Sequence, residues 1–552
     1  MMKISAKKYT NKVKTMSSVE PYVSPYTGLW YKDIIVGYRK RRYYVYTPSS
    51  YFPQLRTLFI FPDEKTDVNE FLERSNFREI AEEKRLLLVF PILNGSKYKT
   101  EEKFVRRVVF DLYLNILNEF CAPSYDGHYF IGYEKGALFV AEYGLRNPKD
   151  LSGLAVIDSE ELRDDIFDEI VSLKIKTYSR EKDAKDYPVT DCVLPFLTAG
   201  NGNGRIISYF KKVNEENGVM TKRISLPDNK PVYSDVEFNR QICTELCTCV
   251  RFGKGPLGDL RPYRTVEDMG LKLSYEMMYH ASFKEKINRM WAVYVPETYD
   301  GKTPLPLVLA THGFTGTFAY FARNTGFCEL AEKENFIVLF SQALPNTGSR
   351  VGTPRWRSGY LNIKNPFRRS DTKEALQSEI DYFNFIIQRT CEEYNVDHTR
   401  IYCTGHSNGS EMTYCISQEL GTQFAAVVQV GYSVRQYQKI EDMPNSDILM
   451  PYLNIESEQD GGYDPDDSKK PIYWELKYRL IENGMSPDSI YQQEDNKEYI
   501  YRKYLNDKGM PLVNFVMYKN ACHAYFPEVS QIAWDFMKHF SREHKKDILY
   551  LK

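Results

Sequence analysis

The sequence predicts an α/β chain built as two tandem domains of one kind, and two observations carry that reading. The first is a strand–turn–helix junction at Gly405-His406-Ser407-Asn408-Gly409: TRIYCT (399–404) has the make-up of a short buried strand, and SEMTYCISQEL (410–420) that of a helix. The second is self-similarity between the halves. Tyr43 to Phe61 (YYVYTPSSYFPQLRTLFIF) parallels Trp291 to Thr311 (WAVYVPETYDGKTPLPLVLAT), and FREIAEEKRLLLVF (77–90) parallels FCELAEKENFIVLF (327–340). HYFIGYEKG (128–136) then parallels RIYCTGHSNG (400–409). A repeat this long indicates a duplicated domain and not a solenoid of short units. At 552 residues the chain has room for roughly two to four domains.

In the second half the elements follow an order that suits acyl transfer. LPLVLA (305–310) is a strand-length apolar run, followed by Thr311-His312-Gly313-Phe314. That position suits an oxyanion donor, here the backbone N–H of Phe314, with His312 supporting the loop. Gly-x-Ser-x-Gly at a strand-to-helix turn is a nucleophile elbow, in which the glycines allow the tight turn and the serine hydroxyl stands clear of the backbone. Ser407 is therefore the candidate nucleophile, and the N–H of Asn408 the second oxyanion donor. Each such donor is typically worth about 3–4 kcal/mol in the transition state. DILMPYLNI (447–455) is the next strand and leads to the acid, Asp460 before two glycines, with Asp464 before Pro465 as the other choice. LVNFVMY (512–518) is the last strand, and the loop after it presents His523 as the base. His539 and His544 fall in or beyond a final helical run and read as surface residues. Serine, acid, histidine is the chain order such a triad takes in one hydrolase architecture.

These segments carry a resemblance. YNVDHTRIYCTGHSNG (394–409), PLVLATHGFTG (306–316), PYLNIESEQDGG (451–462) and NACHAYFP (520–527) resemble the polyhydroxybutyrate-depolymerase and feruloyl-esterase branch of the α/β-hydrolases, over about residues 270–552. The resemblance implies an eight-stranded, mostly parallel sheet flanked by helices, an acyl-serine intermediate and no metal or other cofactor. It assigns Ser407, Asp460 and His523 to the triad and Phe314 and Asn408 to the oxyanion hole. It also likens Trp356 to a tryptophan near the substrate pocket. The implied activity is a serine carboxylesterase acting on feruloyl, hydroxycinnamoyl or acetyl esters of small sugars, with short hydroxyalkanoate oligomers as the alternative substrate. A reading from another class is a binding or scaffold protein of the same fold. The sequence departs from the family pattern at Ser410, where a second glycine is usual, and in lacking clearly matched paired cysteines.

The first half keeps the elbow glycines, Gly132 and Gly136, but has Glu134 where the serine belongs. Pro62-Asp63 replaces His-Gly, the acid position falls near Asn201, and His128 is the sole histidine before residue 280. The expectation is a catalytically silent α/β-hydrolase-like domain over 21–235. Around it lie a polar, lysine-rich arm (1–20), a glycine- and proline-broken linker (236–270) and the catalytic domain (271–552). The silent domain is expected to pack, to shape the pocket entrance or to pair two protomers. With 73 basic against 74 acidic residues, nothing points to nucleic acid or an anionic membrane. The first lysines precede no apolar segment and no apolar run approaches the ~20 residues of a membrane span. Ten cysteines in this length do not form a disulfide framework, and the Cys243, Cys247, Cys249 cluster lacks zinc spacing. The chain therefore reads as cytoplasmic.

Overall fold

The computed structural model describes residues 6–9, 27–49, 55–63, 66–112, 123–175, 186–344, 354–358, 371–433, 447–460, 464–545 and 547–551, leaving aside the side chains of 123–125 and 460. The chain divides into a first unit running to Tyr263 and a second from Arg264 onward, with Lys254–Pro256 belonging to the second.

The strands of the first unit are β1 (Lys7–Lys8), β2 (Gly28–Val36), β3 (Arg39–Thr47), β4 (Leu55–Phe61), β5 (Leu86–Pro91), β6 (Pro123–Tyr133), β7 (Gly153–Ile157), β8 (Lys174–Ile175), β9 (Tyr187–Pro188), β10 (Phe196–Ala199), β11 (Thr221–Ile224), β12 (Cys249–Phe252) and β13 (Asp259–Pro262). Its main sheet has the order β1-β2-β3-β5-β4-β6-β7-β10-β11. The strands of the second unit are β14 (Lys272–His280), β15 (Glu285–Tyr294), β16 (Leu305–Thr311), β17 (Ile337–Ser341), β18 (Val396–His406), β19 (Ala426–Val430), β20 (Tyr452–Ser457), β21 (Tyr491–Asp495), β22 (Tyr499–Leu505), β23 (Pro511–Tyr518), β24 (Phe540–His544) and β25 (Asp547–Tyr550). The order of its main sheet is β14-β15-β17-β16-β18-β19-β20-β23-β22-β21.

The two orders superpose over eight strands, from β2 to β11 in one and from β14 to β23 in the other. In both sheets the first two pairings of that run are antiparallel and the next five parallel. Even the irregularity recurs, with a register shift at Leu55/Thr57 in one and Leu305/Leu307 in the other. The eight strands expected for the second domain are thus the shared part; β1 extends the first sheet, and the antiparallel pair β22–β21 the second.

Central strands β4, β5, β16 and β17 are buried along their whole length, which explains why they are continuous apolar runs without alternation. The helices Phe77–Lys84 and Phe327–Glu334 both end in a left-handed residue, Arg85 (φ 52°) and Asn335 (φ 63°). In each unit a glutamate of that helix accepts a hydrogen bond from a strand tyrosine: Tyr46 donates to Glu82 at 2.8 Å, and Tyr294 to Glu332 at 2.7 Å. Each unit also buries an arginine–glutamate pair between a strand and a helix, Arg41–Glu101 at 2.6 Å and Arg289–Glu379 at 2.8 Å.

The expected linker is corrected. Residues 236–246 form a helix capped by Asp235, whose carboxylate accepts from Phe238 N–H, and Phe238, Ile242, Cys243 and Leu246 join the first unit's core. The strands β12 and β13 then pair as a hairpin. Of the expected polar arm, Lys7 and Lys8 pair with β2 and Tyr9 is buried, while 10–20 lie outside the described residues.

Candidate active site

β18 runs into Ser407, which has φ 54° and ψ −115° and caps the helix Asn408–Glu419. A positive φ at a serine is strained, costing of order 1–3 kcal/mol, and is held here by its surroundings. Ser407 N–H donates to Val430 O at 2.8 Å. A Cβ at Gly405 would lie 2.1 Å from Thr311 Oγ1, and one at Gly409 2.3 Å from Thr311 O. No side chain fits at either glycine, so strand, turn and helix close up and the serine is left on the outside of the bend.

β16 ends at Thr311, whose hydroxyl bridges Thr404 O (3.0 Å) and Gly409 O (2.9 Å) and so joins this strand to the elbow. His312 follows. Ala343 N–H donates to its Nε2 at 3.1 Å, so the proton sits on Nδ1, which donates to Gly313 O at 2.8 Å. Burial lowers its pKa to about 4 and keeps it neutral. It supports the loop, as the sequence suggested. Phe314 lies in the turn closed by Gly316 N–H to Gly313 O at 3.1 Å. A Cβ at Gly313 would meet Ser407 Cβ at 3.4 Å, so this turn rests against the elbow.

Trp356 is not where a substrate contact would be. Its side chain is fully buried against Phe383 and Tyr382, with ring centroids at 5.0 and 6.3 Å. The expectation of a substrate-binding Trp356 is therefore corrected, because a side chain with no exposed surface cannot meet a ligand. Its role is to fasten the site. The indole N–H donates to His312 O at 2.8 Å, and its backbone N–H donates to Asn408 Oδ1 at 2.8 Å. Asn408 Nδ2 donates in turn to Ser358 Oγ at 2.9 Å. One short stretch thus ties the oxyanion loop to the residue after the serine.

His523 follows β23 and is exposed. Its ring lies 4.6 Å from that of His406, the residue before Ser407. It also packs on Gly431 (φ 66°), where a Cβ would come within 2.9 Å of His523 Cε1. Burial first, and then the neighbouring His523, push the His406 pKa well below the usual imidazole value. His406 and Gly431 are parts of the site that sequence reasoning missed; the position of His406 inside the elbow motif was the available signal. The loops after β20 and β23 are bonded to each other: Gln459 N–H donates to Ala521 O at 3.0 Å, and Asn520 N–H to Glu458 Oε2 at 2.7 Å. The backbone of Asp460 ends that turn, and its carboxylate lies outside the described residues. Asp464 is exposed and accepts from Asp466 N–H at 2.9 Å within its own turn.

The first unit repeats the elbow geometry with a glutamate in the serine's place. Glu134 has φ 50° and ψ −116°, and its N–H donates to Ile157 O at 2.9 Å, the counterpart of the Ser407 bond. Asp158 (φ 52°) stands at the counterpart of Gly431 and pairs with Lys230 at 2.8 Å. His128 lies within β6, buried, with its pKa lowered by burial to about 4.

A family model described as "Putative esterase" matches residues 282–434, a stretch that contains β16, the oxyanion loop and the elbow. No curated protein matches. Similar solved structures include an acetyl xylan esterase from Aspergillus awamori, 13% identical, covering 49% of this chain and 98% of its own, with a TM-score of 0.32. An S-formylglutathione hydrolase from Agrobacterium tumefaciens is 14% identical, covering 49% of this chain and 93% of its own, with a TM-score of 0.33. In class, the second unit is an esterase of α/β-hydrolase fold. Among the described residues, no helix is long and apolar enough to cross a membrane.

Proposed function

We propose that the second unit hydrolyses carboxylic esters through an acyl-serine intermediate formed on Ser407. The observation that carries this reading is a serine on the strained elbow with an imidazole beside it: the His523 ring lies 4.6 Å from that of His406, the residue before Ser407, whereas the first unit has the same strained turn with Glu134 in the serine's place. Ser407 Oγ attacks the ester carbonyl carbon while His523 takes its proton. The oxyanion is held by the N–H groups of Phe314 and Asn408, and Asp460 stabilises the imidazolium. The C–O bond breaks, and the alcohol leaves with the proton from His523. Water then attacks the acyl-serine, giving its proton to His523, and the acid departs as Ser407 is restored. Esters of small sugars with hydroxycinnamoyl or acetyl groups are the substrate class that the resemblance favours. The first unit is a silent copy. It has Glu134 at the elbow, and the Asp158–Lys230 pair stands where the second unit packs its imidazole against Gly431.

A fluorophosphonate probe tests the assignment directly. The expected result is a single adduct on Ser407, with Ser407→Ala unreactive and inactive on feruloyl, acetyl and hydroxybutyrate esters. Labelling that persists in Ser407→Ala would overturn it. The ratio of rates on those three esters then selects the acyl group.

A further inference from the structure

The antiparallel extension β22–β21 has no counterpart among the described residues of the first unit's sheet, and it builds a second concavity. Alternate residues of these strands, Gln492, Glu494, Tyr499, Tyr501 and Lys503, share one face with Asn514 of β23. The opposite wall comes from Phe536, at the end of the final helix, from His539 and from Tyr550 of β25. The space between is about 480 Å³, within the ~300–1,000 Å³ usual for small-molecule sites. None of its lining residues belongs to the candidate ester site.

Two features describe what it would hold. Asn514 is 1% exposed and donates through Nδ2 to Tyr501 Oη at 3.3 Å, yet its Oδ1 has no hydrogen-bond partner among the described residues. This buried amide lies beneath the floor of the groove and holds the Tyr501 hydroxyl in place there. The walls also combine aromatic rings with planar amide and carboxylate groups. Tyr499 and Tyr501 lie 6.4 Å apart on the sheet, and His539 and Tyr550 5.4 Å apart across from them. The lining holds one lysine, Lys503, whose ammonium lies 4.9 Å from the centre of the Tyr501 ring, and two carboxylates, Glu494 and Asp535. Asp535 already pairs with Lys538 at 2.6 Å. That balance disfavours phosphates and other anions. Aromatic faces beside amide, carboxylate and ammonium groups suit a neutral ligand with apolar ring faces and many hydroxyls.

We propose that this groove is a binding site for a neutral oligosaccharide, separate from the ester-hydrolysing site and independent of the ester reading. The test titrates the full-length protein with xylohexaose, cellohexaose and maltohexaose, using calorimetry and saturation-transfer NMR. At least one should bind with a Kd of about 1 mM or tighter. Tyr499→Ala and Tyr550→Ala should each weaken it about tenfold. Lys503→Gln, a conservative change on a half-buried strand position, should weaken it several-fold with the thermal transition unmoved. Ser407→Ala should bind as the wild type does. Absence of binding by all three sugars, or affinity unchanged in Tyr499→Ala and Lys503→Gln, would overturn the proposal.

Discussion

Trp356 shows how one side chain can serve a site that it never touches. Its indole N–H holds the His312 carbonyl, and its backbone N–H holds the Asn408 side chain. Trp356→Phe keeps a buried ring but leaves the oxyanion loop without that bond. The expected outcome in steady-state kinetics on a soluble ester is a fall in kcat of about 10- to 100-fold with KM little changed, since donors misplaced by a fraction of an ångström are felt in the transition state. His312 gives a second prediction at this scale. Its folded-state pKa of about 4 lies below the ordinary imidazole value of 6.5, so between those limits the unfolded chain binds the extra proton and stability falls as pH drops. The full effect is of the order of 3 kcal/mol. His312→Gln should flatten that part of the pH dependence, measured by urea unfolding at pH 7, 5.5 and 4. An unchanged slope would mean that the imidazole is not held neutral.

At the scale of the element, both elbows close through glycines that admit no Cβ. One at Gly136 would lie 2.2 Å from Phe61 O, and one at Gly409 2.3 Å from Thr311 O. Gly136→Ala and Gly409→Ala should each destabilise their own unit by about 3 kcal/mol or more, seen as a lowered unfolding midpoint or loss of soluble protein. Only Gly409→Ala should reduce hydrolysis directly. These elbows were legible in the sequence because their geometry is local: a glycine pattern, a buried strand before it and a helix after it. The strands β20 and β23, after which the sequence places the acid and the base, were legible as apolar runs. The helix Val236–Leu246 was hidden by the glycines and prolines downstream, although Asp235 as a cap and the spacing of Phe238, Ile242 and Leu246 give it away. The burial of Trp356 could not be read from the chain, because it arises from residues 312, 382, 383 and 408, which are distant in sequence. The packing of His523 on Gly431 is hidden for the same reason.

At the scale of the whole molecule, each unit carries a buried arginine–glutamate pair, so each can be destabilised by a change made within it. In the second unit, burial alone would raise the Glu379 pKa; Arg289, His280 and Arg357 overcome that and hold the carboxyl below its usual range. Its contribution to stability is therefore complete above the ordinary glutamate range and is lost as the pH falls below it. Removing one member of such a pair leaves a buried charge without compensation and costs about 3–5 kcal/mol. Arg41 and Glu101 are nearly as well buried, with side chains 7% and 4% exposed. Glu379→Ala should therefore lower the temperature at which hydrolysis is lost, while Glu101→Ala should lower a calorimetric transition that leaves hydrolysis in place. Because the unfolded chain's Glu379 takes up a proton below 4.5, the ordinary glutamate value, while the folded one keeps its charge, the gap between wild type and Glu379→Ala should also narrow as the pH is taken below that value. If Glu101→Ala instead removes hydrolysis and heat absorption together at one lowered temperature, the first unit is a folding partner of the second, and its retention is explained by stability.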